Sequence, residues 1–239
     1  MTRERRIWLL AGAGVLAAVI VAVAIAVSQG GADDEEPSPA PGSGGGQEQT
    51  EDVFEGIPQS GVSLGDPDAP ATLIEFADLQ CPFCAEYSRD VLPTLIDRYV
   101  RTGKLKVEAR PVAIIGDGVD SNRGRLGMIA AEQQNRGFNF AQLLYFNQGP
   151  EDGGWLDDTM IASAAKSIPG VNVKELVDAA KSSSVAARAR TYDQQASADG
   201  LTGTPYVLVG KTGGKPTAVT PGSMPDVAAM TSAINGALQ

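Results

Sequence analysis

At 239 residues, 43% hydrophobic and 20% charged, the chain carries enough apolar material for one core with additions. Its 19 basic and 29 acidic residues leave a net charge of −10, which argues against nucleic-acid binding. It has no histidine, which excludes Ser/His/Asp hydrolases, Cys/His proteases and histidine-ligated metal sites, and its two cysteines fall short of the four ligands a structural zinc wants.

Residues 1–6 are basic, and an apolar run from Ile7 to Val27 is long enough to cross a bilayer as a helix. Arg3, Arg5 and Arg6 precede it, and Asp33, Asp34, Glu35 and Glu36 follow it. This predicts a transmembrane anchor over 7–27, with residues 1–6 in the cytoplasm and the rest outside the cell. Cleavage as a signal peptide stays open at Ala24-Ile25-Ala26, although the apolar core of a signal is shorter, about 7–15 residues. No cysteine follows the run to take a lipid. Residues 28–55 are rich in Gly, Pro, Ser and acids and predict a flexible tether. A folded domain is expected over 56–239.

Asp66-Pro67-Asp68-Ala69-Pro70 is a turn cluster, and Ala71 to Ala77 follows as a short buried strand. Cys81-Pro82-Phe83-Cys84 comes next and opens a helix running from Ala85 to about Val100, stopped at Thr102-Gly103. Leu105 to Ile115 is a second strand, so strand, helix, strand predicts a parallel pair. From about 119 to 200 the chain turns helical, with segments at Ser121–Asn135, Phe138–Phe146, Asp157–Ile168, from Asn172 onward, and Ser184–Asp199. Asn172 with Glu175 fits a capping box. Pro205 to Val209 returns to strand, Gly213-Gly214 turns into Pro216–Thr220, and Pro225 to Leu238 closes as an amphipathic helix. Phe138, Phe140, Tyr145 and Phe146 sit at helical spacing; lining a peptide groove is one reading, and core, the commoner fate of such aromatics, is the expected one.

The CxxC carries the chemistry. A cysteine where a strand turns into a helix N-terminus has unsatisfied N–H groups and the positive helix end to stabilise its thiolate, which is the reactive form. Haem attachment would need a histidine after the second cysteine, and Ala85 stands there. Two readings remain, a redox pair or an inert local bridge. A bridge over so short a loop constrains little of the unfolded chain, which favours the redox pair. Pro82 suits the first helical turn. Glu75, an acid in an apolar strand, is a candidate proton relay if buried, and otherwise a solvent-facing residue on the side shared by Leu73 and Ala77. Asp78 and Gln80 are read as loop residues.

Leu73-Ile74-Glu75-Phe76 leading into Cys81-Pro82-Phe83-Cys84, with Gly203-Thr204-Pro205-Tyr206 late in the chain, resembles the DsbA-like thioredoxin-fold oxidoreductases. The resemblance implies an α/β thioredoxin fold with a large helical insertion at about 119–200. It implies Cys81 as the nucleophile and more exposed thiol, Cys84 as the buried resolving thiol, and a redox-active Cys81–Cys84 disulfide. A cis Thr204–Pro205 bond would lie against them, with Thr204, Pro205, Pro82 and Phe83 facing substrate. Many such oxidases carry histidine where Phe83 stands, so one source of thiolate stabilisation is missing here. The expected activity is oxidation of thiols in secreted or membrane proteins, without cofactor or metal, with reoxidation by a DsbB-type or vitamin-K-epoxide-reductase-type membrane protein. A reductase or isomerase of the same fold is an alternative, and an anchored binding module with an inert disulfide is another.

Overall fold

The computed structural model describes residues 45–239; the expected anchor at 7–27 and most of the tether lie outside them. The described chain begins with helix α1 (Gln47–Phe54), strands β1 (Gln59–Ser60) and β2 (Ser63–Leu64), and strand β3 (Ala71–Ala77). Helix α2 then runs from Pro82 to Val100, with wide π-type turns at Tyr87–Val91 and Ile96–Val100. Pro93 lies within it and has no N–H to return to the preceding turn, so the helix opens just ahead of it. Strand β4 (Leu105–Pro111) follows, and then five helices: α3 (Val119–Glu132), α4 (Gly137–Phe146), α5 (Asp158–Lys166), α6 (Val173–Ala180) and α7 (Ser183–Ala198). Strands β5 (Tyr206–Lys211) and β6 (Thr217–Ala218) and helix α8 (Val227–Ala237) complete the domain.

The sheet order is β1-β2-β4-β3-β5-β6. β3 sits at its centre, parallel to β4 (Ala71 opposite Leu105, Ala77 opposite Pro111) and antiparallel to β5 (Phe76 opposite Tyr206). A central strand is covered on both faces, which is why six of these seven residues are apolar or small. The main core joins Leu73, Tyr87, Leu95, Val107, Phe140, Leu144 and Ile234, so the sheet, α2, the insertion and α8 share one apolar interior. Phe138, Phe140 and Tyr145 are buried in it. Capping follows the local chemistry, with the side chains of Asp157, Asn172, Ser182 and Asp226 each accepting an N–H three residues on.

Three expectations need correction. The tether does not run to Glu55, because Gln47–Phe54 is helical. Phe54 is buried against Phe138 with ring centroids 6.0 Å apart, and Arg101 holds the C-terminal carbonyls of Asp52, Val53 and Glu55. The acids that suggested a tether, Glu48, Glu51 and Asp52, lie on the outer face of this helix. The second strand ends at Pro111 rather than Ile115, since the N–H groups of Ile114 and Ile115 turn away to the carboxylate of Asp78. Helix α2 starts at Pro82, ahead of Ala85.

Candidate active site

The β3–α2 connection delivers Cys81 to the N-cap of α2, with Pro82 in the first turn, where its missing N–H costs no intrahelical bond. The Cys81 carbonyl accepts the N–H groups of Cys84 (3.1 Å) and Ala85 (3.2 Å), and the Cys81 N–H donates to Asp78 O (3.0 Å). Both cysteines are free thiols in this structure. Cys81 is 3% exposed and Cys84 0%, so the expected contrast between an open and a buried thiol is small in surface terms. It is large in electrostatic terms.

Cys81 is lowered to about 6. The hydrogen bond from the Cys84 thiol is the main cause; burial opposes it, while Thr204 and the backbone of Cys84 and Phe83 add to it. Cys84 is pushed well above the ordinary thiol range by burial first, and then by the Cys81 hydrogen bond and the negative charges of Cys81 and Glu75. One thiol is therefore poised to be a thiolate near neutral pH and the other to hold its proton, the division of labour a nucleophile and a resolving thiol need.

The chain returns to this spot at the start of β5. The Thr204–Pro205 bond is cis, and the Cys81 thiol donates to Thr204 O at 3.3 Å. The Thr204 hydroxyl is buried and without a hydrogen-bond partner among the described residues, leaving it free to donate to a thiolate. Beside this contact lies a groove of about 490 Å³ lined by Phe83, Glu86, Thr204, Pro205, Tyr206 and Met224 among others. Phe83 is 58% exposed at its edge. The groove puts Pro82's neighbour Phe83 and the cis-proline loop on one accessible surface, in reach of an extended peptide.

Glu75 is 5% exposed, so the solvent-facing alternative fails. Desolvation raises its carboxyl to about 7. It lines a cavity of about 20 Å³ with Phe54, Met128, Phe138 and Tyr145, which is room for a single water. Its charge acts on Cys84 from there.

Asp78 and Gln80 do lie in the connection, but both are fully buried and organise it. Asp78 accepts from the N–H groups of Gln80, Ile114 and Ile115 and from the Ser121 hydroxyl. Gln80 donates to Ser121 and exchanges hydrogen bonds with Asp152. Two polar residues flanking Leu79, between a buried strand and the CxxC, were the available signal, since such groups are tolerated in an interior only when paired.

The family model described as thioredoxin matches residues 58–218. The probable disulfide bond formation protein D of Bacillus cereus is 29% identical over 114 residues, 47% of this chain and 53% of that protein, so the chain spans about half the length of this relative. Among solved structures, oxidised BdbD from Bacillus subtilis superposes with a TM-score of 0.65 at 19% identity, covering 76% of this chain and 97% of that one. DsbA from Chlamydia trachomatis gives 0.60 at 20% identity, covering 73% and 90%. At these identities the two structures establish the shared fold, a thioredoxin core with a helical insertion.

Proposed function

The chain belongs to the thioredoxin family, and from that premise we propose that it is a thiol–disulfide oxidoreductase that donates disulfides to reduced proteins. The observation that carries this is the split between the two thiols, one lowered to about 6 and the other raised, on a helix N-terminus beside an open groove. A stabilised Cys81 thiolate favours the dithiol, and a favoured dithiol makes the Cys81–Cys84 disulfide an oxidant. The name of the Bacillus cereus relative, a disulfide bond formation protein, supports the same direction.

In the reaction a substrate thiolate attacks Sγ of Cys81. The Cys81–Cys84 bond breaks, a mixed disulfide forms, and Cys84 leaves as a thiolate that takes up a proton. Glu75, which titrates at about 7 and acts on Cys84, is the proton source in this scheme, with a water in its cavity as carrier. A second substrate thiolate then attacks the substrate's own sulfur, and Cys81 leaves as the better-stabilised thiolate. Two electrons pass from the substrate dithiol to the cysteine pair. Thr204, Pro205, Pro82 and Phe83 hold the peptide in this scheme.

The rest of the proposal concerns place and recycling. The apolar run 7–27 and its charge asymmetry support a single-pass anchor with the catalytic domain outside the cytoplasm, where disulfides persist. Among the described residues no helix is long and apolar enough to cross a membrane. Reoxidation falls to a membrane protein of DsbB or vitamin-K-epoxide-reductase type.

The deciding experiment is the reduction potential of the Cys81/Cys84 pair of the purified protein against glutathione. The Cys81 value of about 6 lies between those of DsbA, about 3.5, and thioredoxin, about 7. The potential is expected between their values of about −120 and about −270 mV. A potential at or below thioredoxin's would overturn the donor direction and leave the second reading, a reductase or isomerase, which the distance of Cys81 from the DsbA value favours.

A further inference from the structure

Cys81 is approached by the helical insertion through a direct contact. Gln148, in the loop between α4 and α5, donates its side-chain amide to the carbonyls of Leu79 (3.0 Å) and Cys81 (3.1 Å). Two carbonyl acceptors decide which end of the amide faces the turn, because only the NH₂ can satisfy both. The same loop brings Asp152, whose N–H donates to Gln80 Oε1 at 2.7 Å. From the other side Ser121 of α3 closes on Asp78 at 2.7 Å and on Gln80 at 2.9 Å. Gly124, one turn on, lets α3 press against Leu79; a Cβ there would stand 3.2 Å from Leu79 Cδ1 and 2.9 Å from Leu156 Cδ1. Residues 78–81 are thus gripped along their length by the insertion.

The Cys81 carbonyl is the first acceptor of α2. Its direction sets the Cys81–Pro82 peptide plane and hence how the backbone of Phe83 and Cys84 faces Sγ. The carbonyl oxygen is also a negative pole near the sulfur, and the Gln148 amide puts a positive pole against it.

We propose that Gln148 is a positioning residue through which the helical insertion orients Cys81 and tunes its reactivity as a nucleophile. The inference rests on Cys81 being the reacting thiol, but not on the direction of electron flow.

The test is a graded series in the full chain, Gln148→Lys, Gln148→Met and Gln148→Glu. The readouts are thiolate absorbance against pH and the rate of Cys81 alkylation at pH 6, where Cys84 stays protonated. Methionine keeps the bulk and loses the donor. Its alkylation rate falls about two- to fivefold, the loss of thiolate that follows when a midpoint near 6 moves to about 6.5 or 7. Glutamate, which adds a negative charge and donates nothing, falls further, and lysine, which donates and is positive, matches or exceeds the native rate. Thermal midpoints are measured alongside. A methionine variant that titrates like the native protein would overturn the proposal. So would an equal loss in all three variants that tracks their thermal midpoints, since that is what a purely structural contact produces. A potential at thioredoxin's value would remove the donor reading and leave this series unaffected.

Discussion

Two segments meet at Cys81, and they are built in opposite ways. The turn 78–81 is interior: Asp78 and Gln80 are fully buried, and each is paired with the insertion or with the segment after β4. The turn 202–205 borders a groove open to solvent, and its Thr204 hydroxyl has no partner among the described residues. The segment that carries the sulfur is held, and the loop that faces it borders open space. The proposed nucleophile needs to be preorganised and also met by substrate, and in that reading the two demands fall to different segments.

That contrast can be broken most completely at the sulfur itself. Cys81→Ser should reduce oxidation of a two-cysteine peptide to background, while Cys84→Ser, given the peptide in its disulfide form, should show a mixed disulfide at Cys81 by mass spectrometry, the Cys81 thiolate displacing one peptide thiolate. A native protein that oxidises no peptide, with peptide binding unchanged in the Cys81→Ser variant, would instead identify a binding module with an inert disulfide. On the held side, Asp78→Ala strands four donors, two of them in buried hydrogen bonds, and should cost on the order of 3 kcal/mol in urea unfolding.

Behind the sulfur, Glu75→Gln should act with the opposite sign. The Glu75 carboxyl titrates at about 7 in the folded protein against 4.5 ordinarily, so the folded state holds its proton longer than the unfolded state does. Stability is therefore lost as pH rises from about 4.5 to about 7, and glutamine removes that loss. The gain should approach about 3 kcal/mol at neutral pH and vanish near pH 4.5. Glu132 on α3, also raised to about 7 by burial, keeps a similar dependence in the variant. The same substitution should slow protonation of Cys84; unchanged turnover would remove Glu75 from the mechanism. On the open side, Phe83→Ala should leave unfolding within about 0.5 kcal/mol. It should raise the KM for an apolar peptide about fivefold, roughly 1 kcal/mol of lost contact.

The resemblance named the reactive pair and the proline loop because those residues carry local signals, a CxxC after a strand and a Thr-Pro before one. The turn residues carry no comparable signal. Asp78 and Gln80 look like any polar connection until Ser121, 43 and 41 positions away, and Asp152, 72 from Gln80, are folded onto them. Helix α1 escapes a sequence reading for a related reason: its composition is polar, and only Thr50, Val53 and Phe54 turn toward the core. Propensity and charge describe its outer side, while packing decides its state.

Strand and helix periods, capping residues, the absence of histidine and the CxxC spacing follow from the amino-acid order, because each depends on neighbours within a few residues. The Thr204 share in lowering Cys81, the burial that lifts Cys84 and Glu75, and the grip of Gln148 were decided by tertiary structure alone. They depend on how far water is excluded and on which distant dipoles and charges face the sulfur, as in the Thr204 contact across 123 residues of chain.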